Sequence, residues 1–139
     1  MILVSACLCG IRCRYDGGTK PVAEFVEMLG RGECIPFCPE QLGLLTTPRE
    51  PAEISGGDGF DVLDGRAAVL LRDRPGDVTE EFLLGARRSL QIAALYRPGT
   101  IFLKERSPSC ALREGPGAPG VAAAALMRAG WRLEAVDGG

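Results

Sequence analysis

Short runs of consecutive apolar residues alternate along this chain with longer amphipathic stretches, and the two patterns predict buried strands and surface helices respectively. Ile2-Leu-Val-Ser-Ala-Cys-Leu is apolar at successive positions, ends near Gly10, and reads as a strand buried on both faces. A polar loop with a Gly17-Gly18 turn follows. Pro21 then opens a helix whose Val22, Phe25, Val26 and Leu29 share one face until Gly30 and Gly32 stop it. Cys34-Ile-Pro-Phe-Cys is the second strand, and Pro36, which has no N–H to donate to a ladder, points to a place near a sheet edge or to a local irregularity. The stretch from Pro39 to Gly59 is rich in Pro, Gly and Thr and reads as a long functional loop. A hairpin through Asp61-Val-Leu-Asp-Gly is expected to lead into a strand at Ala67-Ala-Val-Leu-Leu.

Asp77 has the chemistry of an N-cap, with Glu80 and Glu81 in the first turn that follows; Phe82, Leu83, Ala86, Leu90, Ala93 and Ala94 then carry a helical face to Arg97-Pro98. Thr100-Ile-Phe-Leu-Lys is a strand, Gly120 to Arg128 a helix of small residues, and Arg132-Leu-Glu-Ala-Val a last short strand. Strands alternating with helices imply an α/β fold: a mostly parallel sheet with flanking helices in a Rossmann-like three-layer arrangement, here one domain over residues 1–139.

Composition narrows the function. Sixteen basic against eighteen acidic residues give a net charge of −2, so no overall positive field draws the chain to nucleic acid or to anionic lipid. Its apolar runs fall well short of the roughly 20 residues that span a bilayer, and no basic leader precedes them, which predicts a cytoplasmic protein. There is no histidine, which removes Ser-His-Asp and Cys-His nucleophilic machinery and the commonest zinc ligand together. Proton transfer falls to carboxylates, thiols, tyrosine, lysine or water.

Six cysteines in a reducing compartment point to metal binding, catalysis or plain burial rather than to disulfides. Cys7, Cys38 and Cys110 each stand where an apolar run gives way to a turn. On neighbouring parallel strands they would share the edge where open α/β sheets bind ligands. Thiolates select zinc or iron–sulfur clusters over magnesium or calcium, and three of them leave one coordination position open. Cys9 and Cys13 match neither a zinc ribbon nor a ferredoxin spacing, and Cys34, at the start of its strand, is expected to pack away from the site.

The blocks Ser5-Ala-Cys-Leu-x-Gly, Cys13-Arg-Tyr-Asp-Gly, Cys38-Pro-Glu-Gln-Leu-Gly, Thr47-Pro-Arg, Pro51-Ala-Glu-Ile, Gly56-Gly-Asp-Gly, Asp77-Val-Thr-Glu-Glu-Phe and Lys104-Glu-Arg-Ser-Pro-Ser-Cys occur in this order across most of the chain. Together they resemble the small bacterial and archaeal family of 2-thiouracil desulfidases, which also supplies a domain of tRNA-thiouridine desulfidases. The resemblance implies a [4Fe–4S] cluster held by Cys7, Cys38 and Cys110, with one iron not bound by protein. It implies Glu40 and Ser107 as catalytic groups for acid/base work and positioning, and Cys13, Arg14, Tyr15, Asp16 and Ser109 as substrate-binding residues. The implied partner is a small thiolated pyrimidine, with neither nucleic acid nor membrane, in a monomer or homodimer. Two departures stand out: Cys9 replaces the family's usual Leu, and the segment after Cys110 runs almost directly into the last helix. The residues by themselves leave two other readings open, a non-catalytic zinc- or nucleotide-binding module with structural thiolates, and metal-free persulfide chemistry at one cysteine.

Overall fold

The computed structural model describes residues 1–137. In chain order the elements are β1 (Ile2–Ser5), α1 (Ala23–Gly30), β2 (Cys34–Phe37), α2 (Pro39–Leu42), β3 (Ala52–Ser55), α3 (Gly59–Leu63), β4 (Ala68–Leu71), α4 (Thr79–Tyr96), β5 (Thr100–Lys104), α5 (Val121–Arg128) and β6 (Leu133–Val136). Four strands form one parallel sheet in the order β2-β1-β5-β6, as the alternation of strands and helices predicts. The Pro36-bearing strand is at its edge.

Side-chain alternation builds the three layers. Leu3, Ile101 and Leu103 turn to one face and pack with Ala93 of α4 and Ala123 and Leu126 of α5. Val4 and Phe102 turn to the other face, under α1, where the Phe25 and Phe102 rings meet at 5.1 Å. Only Phe25 of the predicted α1 face is fully buried; Val26 is exposed, because a helix of eight residues on a four-stranded sheet covers a narrow stripe. No helix among the described residues is long and apolar enough to cross a membrane.

The middle of the chain departs from its sequence pattern. In place of a hairpin through Asp61, α3 forms there, started by a reciprocal cap: Asp58 accepts from the Asp61 N–H and Asp61 from the Asp58 N–H, at 3.1 and 3.0 Å. The long loop contains α2 and β3, and β3 pairs antiparallel with β4 as a separate two-stranded sheet. Asp77 caps α4 from one residue further out than expected, accepting from Thr79 N at 2.8 Å. β1 stops at Ser5, and Cys7 sits in a 3₁₀ turn over Ala6–Cys9, which Gly10 closes at φ +86°.

Helix α2 lies against α4 with no room between their backbones. A Cβ on Gly85 would overlap the Pro39 carbonyl oxygen, and one on Gly43 the Glu81 carbonyl. Alanine normally gains about 1 kcal/mol over glycine within a helix. Gly85→Ala is nevertheless expected to lower the free energy of unfolding by more than about 1 kcal/mol in a urea titration, since overpacking costs roughly 1–3 kcal/mol and more against backbone. A stabilised variant would show that the two helices are not in contact.

Candidate active site

A cavity of about 130 Å³ opens where β2, β1 and β5 end. Cys7, Cys38, Cys110, Cys13, Arg14, Tyr15, Glu40, Ser107 and Ser109 all line it. Asp16 does not: its carboxylate accepts from Gly18 N at 2.8 Å and shapes the turn behind Arg14. Cys9 and Cys34 are also outside, buried together beneath α1.

Each thiol arrives by a different local device. Cys7 follows β1 in its 3₁₀ turn, Cys38 follows β2 as the residue preceding α2, and Cys110 closes a loop after β5. That loop is folded by one hydroxyl, since Ser107 Oγ accepts from both Ser109 N and Cys110 N, at 3.2 and 3.1 Å. The sulfurs are close enough to set one another's acidity. A hydrogen bond from the Cys13 thiol favours the thiolates of both Cys7 and Cys38, holding Cys7 below the usual thiol range and bringing Cys38 to about 7. Cys13, whose proton is shared between those two sulfurs, is pushed up. Full burial pushes Cys110 up to about 12, against a hydrogen bond from the Ser5 hydroxyl.

Opposite the thiols, Glu40 is held at both carboxylate oxygens. Arg49 Nε donates to Oε1 at 2.9 Å, and Ser109 Oγ donates to Oε2 at 2.9 Å. The Arg49 and Glu40 side chains are only 7% and 13% exposed. Arg49 spends its remaining donors on the same neighbourhood: Nη2 to the Cys13 carbonyl at 2.8 Å, Nη1 to Thr46 O and Thr47 Oγ1, and its backbone N to Tyr15 O at 2.7 Å. This one side chain ties the Cys13 loop to α2.

Sequence reasoning gave several of these residues another role or none. From sequence Arg49 is either a group that closes over a base or binds a phosphate, or a solvated loop charge; the fold buries it against Glu40. Lys104 lines the cavity with its Nζ on the Glu105 carbonyl at 2.9 Å, and desolvation lowers its pKa. Glu105, also buried, accepts from the backbone N–H groups of Leu112, Arg113 and Glu114, which fastens the shortened segment beyond Cys110. Ser5 Oγ accepts from Lys104 N across the β1–β5 seam. The available signal was the charged Lys104-Glu-Arg triplet at a strand end, where polar residues seldom sit without a reason.

The donor set suits a thiolate-bound group: soft sulfur ligands from three strand ends and no histidine to compete. Among the described residues no three Cys, Asp or Glu side chains close on a point as the ligands of a single metal ion do. Known proteins resemble the chain over nearly its whole length. The model of the 2-thiouracil desulfurase family matches residues 2–137. The Bacillus subtilis (strain 168) protein YbbK, itself uncharacterised, is 41% identical over 146 residues, covering 96% of this chain and 93% of its own. The solved structure of the [4Fe–4S]-dependent thiouracil desulfidase TudS superposes with a TM-score of 0.82 at 33% identity, covering 98% of this chain and 90% of that one.

Removing Arg49 leaves a buried carboxylate unpaired, so Arg49→Ala should cost about 3–5 kcal/mol in chemical denaturation. Arg31→Ala, which breaks the exposed Arg31–Glu33 pair, should leave the midpoint unchanged. Equal effects would mean that Arg49 is not a clamp. In metal-free, reduced protein at pH 7.5, iodoacetamide mapping should find Cys38 modified well before Cys110; the reverse order would contradict the thiol environments described above.

Proposed function

We propose, on the ground that this chain belongs to the 2-thiouracil desulfurase family, that it removes sulfur from a thiolated pyrimidine and yields the oxo base and sulfide. The observation that carries this reading is the convergence of Cys7, Cys38 and Cys110 with Glu40 and Ser107 around one cavity. Those three thiols would hold a [4Fe–4S] cluster with one iron not bound by protein. When bound, the cluster supplies a Lewis acid toward a thiocarbonyl sulfur. Glu40 and Ser107 manage the protons of the water that replaces sulfur at carbon, the work that histidine cannot do in this chain. Arg14 and Tyr15 form the wall beside the base, with the Cys13 carbonyl fixed behind them by Arg49. Six free cysteines suit a reducing, cytoplasmic setting.

One feature favours a second reading. Cys13 brings a fourth thiol to the cavity, the thiolate count of a structural zinc site without catalysis, although these sulfurs would have to draw together to close one.

Elemental analysis of anaerobically purified protein separates the two. About four irons and four acid-labile sulfides per chain are expected, with sulfide released from 2-thiouracil or 4-thiouridine monophosphate. Cys7→Ser, Cys38→Ser and Cys110→Ser should each lose most of the iron. One tightly held zinc and no labile sulfide would replace this proposal with the structural one.

A further inference from the structure

The hydroxyls beside Cys110 form a directed chain. Ser107 Oγ already accepts two backbone N–H bonds, from Ser109 and Cys110, so both its lone pairs are in use and its own hydrogen is free to be donated. Ser109 Oγ has one hydrogen and two acceptors in reach, Glu40 Oε2 at 2.9 Å and Cys110 Sγ at 3.7 Å. A charge-assisted bond to carboxylate is shorter and stronger than one to sulfur, so that hydrogen points to Glu40. The 3.0 Å contact between Ser107 and Ser109 then has one polarity: Ser107 donates and Ser109 accepts. Ser109 is only 3% exposed, so no water competes for either bond, and Arg49 on Oε1 fixes the carboxylate at the end of the line.

From this polarity we infer that Ser109 is a proton relay that couples Ser107 to Glu40 and makes the Ser107 hydroxyl an activated base and nucleophile. The Ser107 proton moves to Ser109 Oγ as the Ser109 proton moves to Glu40 Oε2. No electrons are exchanged, Glu40 ends as the neutral acid, and the charge on Ser107 Oγ faces the two backbone N–H groups, as an oxyanion would. In the proposed desulfidation, on which this inference rests for its substrate, Ser107 then takes the proton of the attacking water. Ser109 is a positioning residue here, because its hydroxyl is fully engaged within the protein.

The first test needs neither cluster nor substrate. Full-length protein is treated with a fluorophosphonate, which reports an activated serine oxygen, and Ser107 labelling is followed by mass spectrometry. Ser107 of the natural sequence should be labelled, at least tenfold more slowly in Ser109→Ala and in Glu40→Gln, with Ser109→Thr restoring the rate. Absence of labelling in the natural sequence, or labelling of Ser109→Ala at an undiminished rate, would overturn the relay. The second test uses the iron-loaded enzyme: Ser109→Ala should keep its iron, lose at least tenfold in kcat with KM nearly unchanged, and convert a curved proton inventory into a linear one. An unchanged kcat or inventory would also overturn it. Failure of the natural enzyme to release sulfide from any thiopyrimidine, with labelling as expected, would instead strike the function and spare the relay.

Discussion

Parallel adjacency of β2, β1 and β5 is the constraint on which the site depends. Parallel strands all point the same way, so chain segments far apart in sequence end on one edge, and whatever follows each strand is delivered to the same place. The strands are short, and their alternate residues are committed to two apolar layers, Leu3, Ile101 and Leu103 above and Val4 and Phe102 below. A one-residue slip of β1 would turn Leu3 and Val4 each to the wrong layer and swing Cys7 out of line with Cys38. Core packing and thiol placement are thus one requirement.

The second layer of organisation is polar. Arg49 and Glu40 are taken out of water at a cost that their attraction offsets only with good geometry and full hydrogen bonding. Both conditions hold, since each carboxylate oxygen of Glu40 has a donor and the Arg49 guanidinium reaches four acceptors. Among the described residues no buried side-chain nitrogen or oxygen lacks a partner. An arrangement of this kind sets position as well as stability: α2 carries Glu40, is pressed on α4 through Gly43 and Gly85, and is tied to the Cys13 loop by one guanidinium. Lysine could supply the charge but not the planar fork that bonds carboxylate and carbonyls together.

How much of this was legible in the residues depends on the range of the force involved. The parallel sheet, the long helix ending near Arg97 and the edge placement of Pro36 follow from local periodicity and from the missing proline N–H, and the structure has them. Helix α3 was missed because five residues give too little periodicity, although the Asp58/Asp61 capping pair was visible as Asp-x-x-Asp. The antiparallel pairing of β3 with β4 has no local signal, since it depends on a helix inserted between them. At the site, the cysteines stood out because thiols at strand ends are unusual. Arg49, Lys104 and Glu105 did not, because sequence cannot tell a solvated charge from one that long-range folding has buried. The relay through Ser109 is invisible at that level, as the polarity of a hydroxyl chain exists only once every donor and acceptor around it is placed.

The proposed chemistry requires that the sulfurs of Cys7, Cys38 and Cys110 hold one cluster with an iron left open toward Glu40 and Ser107. Mössbauer spectroscopy of protein reconstituted anaerobically with iron-57 tests this most directly. A [4Fe–4S] spectrum in which one iron in four changes its parameters when 2-thiouracil is added, the other three staying as they were, is the predicted result. A spectrum indifferent to thiouracil, with all four irons alike and Cys13 required for the fourth, would contradict it.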